Sequence, residues 1–296
     1  MRKKASKTVS LVLGSGGARG LAHIGVINWL TDNGFHVASV SGASMGALVG
    51  GIFAAGKLDV YTRWVNALEK THVLRFLDLS FSSGGLFKGD RIIDVLRDMV
   101  GEHAIEDLPI NFTAVATDID RQREVWLSKG PLFDAIRASI AVPSIFTPHE
   151  YLGMTLLDGG LLNPVPIAPT FKDRTDLTIA VDLNAAHRRP PAEPQPQPEQ
   201  PDREGGYHHL IVQFLDALQG GHRGEQKGDI GLFDLLSRSF DTMQNAISAV
   251  KLASYAPDIV IQIPRDTCAS YEFYRAKEVI ETGYRIAAEV IPATLT

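Results

Sequence analysis

The chain has 296 residues, 45% hydrophobic and 21% charged, the balance of an ordinary soluble protein long enough to bury a sizeable core. Its formal net charge of −5 argues against a nucleic-acid binder, which would carry a basic stripe. Cys268 is the only cysteine, which excludes a disulfide framework or a cysteine zinc site within the chain and points to a reducing compartment, the cytoplasm.

In chain order, "MRKKASKTVS" is basic, yet the apolar run behind it, Leu11 to Leu13, stops at once in "GSGGARG". An export signal needs a longer apolar stretch, so no targeting segment is expected. "TVSLVLG" (8–14) is short, β-rich and closed by glycine, which predicts a buried strand. Residues 19–33 follow with Leu21, Ile24, Ile27 and Leu30 on one helical face. From Phe35 to Gly56 there are 22 residues without Asp, Glu, Lys or Arg, a length that invites a membrane-spanning reading. His36, three serines and five glycines in that run favour a buried strand (36–42), a tight turn and a buried helix (44–55) instead. Strand–helix–strand–helix order predicts a largely parallel sheet with helices on both faces.

Residues 59–100 read as mostly helical with a break at "SSGG" (82–85). "INFTAVATD" (110–118) and "REVWLS" (123–128) read as strands, the second antiparallel to the first, and "LFDAIRASIAV" (132–142) as a helix stopped by Pro143. "EYLGMTLLDGG" (150–160) reads as a hairpin about Gly153 that delivers Asp158 at a strand end, and "LTIAVDL" (177–183) as another buried strand. The proline-rich stretch at 188–206 cannot bury enough apolar surface to offset its ordering entropy and is expected to be exposed. Helical segments near 207–219 and 230–255, a strand at 258–264 and a last helix from about 271 to 291 complete one domain, 8–291, carrying a long insertion.

Three motifs carry chemistry. Gly42-Ala43-Ser44-Met45-Gly46 sits between a β-rich run and a helix former, the context of a nucleophile held on a strained turn; the competing reading is close helix–strand packing. "GSGGARG" (14–20) follows the first strand and opens a helix, where converging backbone N–H groups and the helix dipole favour an anion. In a parallel sheet the loops after the first two strands share one edge, so this loop and Ser44 face one cleft. A dinucleotide site is disfavoured, because Arg19 stands where that fingerprint needs glycine and no acidic residue ends the second strand. Asp158, with two glycines behind it, is the candidate base; His187 is the candidate third member if the arrangement is a triad. An aspartate of ordinary pKa, about 3.9, is a weak base, so a dyad requires concerted proton transfer and strong oxyanion stabilisation. Residue chemistry alone leaves dyad and triad open.

Taken together, "GSGGARG", "GASMG" and "DGG", with "VATD" (115–118), "IRASIAVPSIFTP" (136–148) and "DGGLLNPVP" (158–166), resemble the patatin-like phospholipase family, in particular its bacterial branch related to neuropathy target esterase. The resemblance implies a three-layer α/β/α fold and a Ser44–Asp158 dyad without a catalytic histidine. It also implies an oxyanion loop containing Gly14, Gly16, Gly17 and Arg19, and hydrolysis of lipid acyl esters. The nine histidines form no metal-like spacing, so no metal is expected, nor any cofactor. The implied partner is a lipid or acyl ester, and the sequence leaves open whether it is met in the cytoplasm or in peripheral contact with the inner membrane surface. Ser15 departs from the family's glycine; it is expected to alter the loop's hydrogen bonding while its N–H stays available, and it leaves room for a non-catalytic regulator or lipid-binding module. Gly160 in place of alanine is a milder departure. Arg19 reads either as a helix-start arginine paired with a surface carboxylate or as a group orienting the loop. Asn163 and Pro164 read as shaping the turn after Asp158, and His23 as a packed core residue. Leu232, Leu235, Leu236, Phe240, Met243, Ile247 and Val250 recur at helical spacing, which predicts an amphipathic helix docked by its apolar face on the core, or a lid or lipid-contacting face within 207–255.

Overall fold

The protein is described here from a computed structural model, which covers residues 6–69, 89–143, 145–185, 232–292 and 295. The chain divides into two compact units, residues 1–187 with 236–296, and residues 188–235. The expectations for 188–206 and 207–219, and for His187, lie outside the described residues.

Among the described residues, eight strands make one sheet: β1 (Thr8–Leu13), β2 (His36–Ala43), β3 (Asn111–Asp118), β4 (Arg123–Leu127), β5 (His149–Tyr151), β6 (Met154–Asp158), β7 (Leu177–Ala185) and β8 (Ile259–Pro264). Their order is β5-β6-β3-β2-β1-β7-β8, with β4 pairing β3 off that path. β3, β2, β1, β7 and β8 run parallel, whereas β4 and β6 lie antiparallel to β3. Helices α1 (Ala22–Asp32), α2 (Met45–Ala54), α3 (Leu58–Asn66), α4 (Asp90–Val100), α5 (Leu132–Ser139), α6 (Leu232–Tyr255) and α7 (Ala276–Val290) flank it, giving the expected α/β/α architecture. Among the described residues no helix is long and apolar enough to cross a membrane.

The uncharged run 35–56 is a buried strand, turn and helix: Val40, Ala43, Ala47, Val49 and Ile52 all lie in the core. Near-continuous apolar strands are what a sheet covered on both faces requires. The returning tail joins the same sheet, β8 pairing parallel with β7. Several boundaries differ from expectation, among them that of the last helix, which begins at Ala276 rather than near 271, behind a 3₁₀ turn, Phe273–Arg275. The first helix begins as a 3₁₀ turn, Gly17–Leu21, before α1. α5 ends at Ser139 rather than at 142, and beyond it the Ala141 carbonyl accepts the N–H of Asp158 at 3.0 Å.

The orientation of α6 corrects one of its two sequence readings, the apolar face docked on the core. Met243 and Val250, expected against the core, are 53% and 65% exposed, and Leu236 is exposed beside them on the same stripe. The buried positions are the polar Gln244 and Ser248. Polar groups wait beneath the helix: Asp241 approaches the Arg19 guanidinium at 3.6 Å and Lys251 approaches Glu124 at 4.0 Å. A buried charge unpaired would cost more than a few exposed aliphatic side chains, so the polar face turns inward.

Candidate active site

The strand register assembles the site. Leu13 pairs with both Gly42 and Val181, so the loop after β1 and the end of β2 emerge level at one edge. Ala43 pairs with Val115, and Asp158 pairs with Ala116, the next residue of β3. β3 therefore serves as a common template that delivers the residue after Ala43 beside Asp158.

That residue, Ser44, has φ 55° and ψ −124°, a backbone conformation that L side chains rarely adopt. It caps α2 without a side-chain cap hydrogen bond, so its hydroxyl has no structural duty at the helix start. Its N–H donates to Ser139 Oγ at 3.0 Å, and Ser139 Oγ donates to the Val115 carbonyl at 2.6 Å, which pins the turn to β3. The glycines on either side are steric necessities. A Cβ at Gly42 would stand 2.4 Å from the Gly46 backbone, and one at Gly46 would stand 2.0 Å from the Leu13 carbonyl oxygen. Gly46→Ala is expected to destabilise the protein by more than about 4 kcal/mol in urea denaturation, since the clash is with strand backbone. Gly153→Ala, whose new Cβ meets nothing within 4 Å, is expected to cost only the strain of its φ of 70°, about 1–2 kcal/mol.

Asp158 is fully buried and Ser44 is 5% exposed. Burial pushes the Asp158 carboxyl up to about 7, against smaller lowering by the Ser44 hydroxyl and the Gly160 N–H. Oδ1 accepts that N–H at 2.7 Å. Oδ2 has no fully formed hydrogen bond among the described residues, and the Ser44 hydroxyl is the side chain that acts on the carboxyl. No described histidine contributes to its environment. His23 is fully buried on α1, as expected, with its pKa lowered to about 4 by desolvation; the neutral ring donates from Nε2 to the Gly14 carbonyl at 2.8 Å.

The glycine loop lies against the same turn, Gly46 packing on Leu13 and Gly14, and Gly20 on Met45. Its donors divide. Gly14 N–H is taken by the Val181 carbonyl at 3.0 Å and Ser15 N–H by the Pro164 carbonyl at 2.8 Å, so the expectation that Ser15 keeps its N–H available fails. The reason is the turn after Asp158, which Asn163 and Pro164 shape and which reaches back to clamp the loop. Gly16 and Gly17 N–H have no protein acceptor among the described residues, and Gly17 sits at φ 57° at the start of the 3₁₀ turn. Arg19 is buried, its Nη2 donates to Asn184 Oδ1 at 3.4 Å, and it faces the Asp241 carboxylate. Asn184 Nδ2 in turn donates to the Ser15 carbonyl at 3.2 Å.

The structure thus brings Ser44, Asp158, Gly14, Gly16, Gly17 and Arg19 to one sheet edge. It adds Ser139, Asn184 and Gln244, which sequence reasoning did not single out. Ser139 lies within "IRASIAVPSIFTP", and its stretch was the available signal; Asn184 and Gln244 carried none. A cavity of about 210 Å³ opens at the other end of β2 and β3, lined by Ser39, Asn111 and Asp173 among others, and touches none of these groups.

Comparison with known proteins gives four findings. A family model described as patatin-like phospholipase matches residues 11–171. An uncharacterized NTE family protein of Mycobacterium tuberculosis is 39% identical over 337 residues, covering 99% of this chain and 94% of that one. A lysophospholipase of Emericella nidulans is 34% identical over 188 residues, covering 62% of this chain and 12% of that one. Among solved structures, VipD from Legionella pneumophila superposes with a TM-score of 0.57 at 15% identity, over 97% of this chain and 66% of VipD, a likeness of fold.

Proposed function

The chain belongs to the patatin-like phospholipase family, and from that premise we propose that it is a serine acyl hydrolase of lipid esters in which Ser44 is the nucleophile and Asp158 its base. The observation that carries the reading is the register of β3, which sets Ser44 on its strained turn beside the fully buried Asp158 carboxyl, next to glycine-loop N–H groups that have no acceptor among the described residues.

Burial supplies what the ordinary carboxylate lacks. A base with a pKa near the operating pH both exists in its ionised form and accepts a proton with little penalty. Asp158 takes the Ser44 proton as Oγ bonds to the ester carbonyl carbon. The negative charge that moves to the carbonyl oxygen falls to the N–H groups of Gly16 and Gly17, each such donor contributing roughly 3 kcal/mol of barrier lowering. Collapse of the tetrahedral species breaks the bond to the leaving alcohol, which receives the proton from Asp158. Water then attacks the acyl-serine with Asp158 again as base, releasing the carboxylic acid and restoring Ser44.

A fluorophosphonate probe tests the reading: labelling by intact mass, mapped to the peptide holding Ser44, is the expected result, with hydrolysis of short p-nitrophenyl esters alongside. Absence of both in folded protein removes it. His187→Ala is expected to leave turnover within about twofold, as a dyad predicts; a loss of about 10³-fold or more would require a triad.

A further inference from the structure

Resting on the acyl-hydrolase reading, we propose that Gln244 is a positioning residue that sets the oxyanion loop through Ser15. The two residues are 229 positions apart, both 2% exposed, and Gln244 Nε2 donates to Ser15 Oγ at 2.9 Å.

Ser15 is held at every polar group it owns. Its N–H goes to the Pro164 carbonyl, its carbonyl accepts from Asn184, and its hydroxyl accepts from Gln244. The Ser15 carbonyl and the Gly16 N–H belong to one planar trans peptide, so they point in opposite directions and cannot turn independently. Fixing Ser15 therefore fixes the direction of the Gly16 N–H, one of the two donors without a protein acceptor among the described residues. α6 reaches this peptide by two routes. Gln244 grips the hydroxyl directly, and Asp241 faces Arg19, which holds Asn184, which holds the carbonyl.

Gly160 belongs to the same device. A Cβ there would lie 2.1 Å from Gln244 Nε2, 2.6 Å from Ser15 Oγ and 3.0 Å from Asp158 Oδ1. The amide of Gln244 thus occupies the place an alanine methyl would take, next to the carboxyl. The two departures from the family pattern, Ser15 and Gly160, meet at one side chain: the first supplies an acceptor for the amide and the second the room. A glycine at 15 would offer Gln244 nothing to hold.

The test is steady-state hydrolysis of a soluble p-nitrophenyl ester by the full chain carrying Gln244→Ala, Gln244→Met, Ser15→Ala and the Ser15→Ala/Gln244→Ala pair. Loss of one positioning hydrogen bond is expected to lower kcat roughly five- to tenfold, with KM within about twofold. Gln244→Met keeps the side chain's length and removes the donor, so it is expected to be as slow as Gln244→Ala; if packing were the role, Met would restore kcat. The double variant is expected to lose no more than either single one, because both remove the same contact. Wild-type kcat in folded Gln244→Met, or a double variant slower by the product of the single losses, overturns the proposal. A wild-type chain that neither hydrolyses the ester nor labels at Ser44 removes the acyl-hydrolase reading instead, and the two failures are distinct.

Discussion

Ser44→Ala is expected to lower kcat on a short acyl ester by at least about 10⁴-fold while leaving the fold intact. The size follows from the position of the hydroxyl. It caps no helix and carries no structural hydrogen bond at α2, and it faces a carboxyl that nothing else fully satisfies. Removing it deletes the bond-forming atom and costs the fold little. Ser44→Gly separates the two properties further. Serine at φ 55° holds strain of about 1–3 kcal/mol, and glycine relieves it at some cost in chain entropy. The glycine variant is therefore expected to be as inactive as the alanine variant yet more stable than the parent by about 1 kcal/mol in urea denaturation. A gain in stability together with a loss of activity is the mark of strain kept for chemistry. Residual turnover above about 1% in Ser44→Ala would move the nucleophile elsewhere.

What could be read in the sequence was what short range dictates. The turn at Ser44 needs glycine at 42 and 46 because their missing Cβ atoms would enter backbone, and the glycines advertise the turn from the sequence alone. The strand ahead of it and the helix behind it follow from an uninterrupted apolar run. Sheet order was only partly legible. That β7 returns beside β1, and that β6 pairs with β3 one residue beyond the point where β2 leaves it, are choices between distant segments with no local trace. The same limit explains α6. Its apolar residues recur with helical spacing, but which face turns inward depends on Arg19, Ser15 and Glu124, which lie more than a hundred residues upstream. The Ser15 N–H was likewise lost to Pro164, a partner that only the folded turn after Asp158 supplies.

Asp158→Asn is expected to have opposite effects on activity and on stability, and the pH dependence of each identifies the group. Its carboxyl, raised from an unfolded value of 3.8 to about 7 by burial, binds a proton more tightly in the native state. The stability it contributes is complete below about pH 4 and is lost as pH rises through about 7, because the native state must then ionise a buried group. At pH 8 that ionisation costs up to about 4 kcal/mol, an upper limit set by the displacement. Asparagine keeps the acceptor for the Gly160 N–H and never ionises. The variant is therefore expected to unfold at higher temperature than the parent at pH 8, with the difference closing towards pH 4. Activity runs the other way. The parent's kcat/KM is expected to rise with pH through a single ionisation near 7, the point where the base becomes available. In Asp158→Asn turnover falls by about 10³-fold or more and that rise disappears. A variant that keeps the limb near 7, or that gains no stability at pH 8, would mean that another group titrates there and that the carboxyl at 158 is not the base.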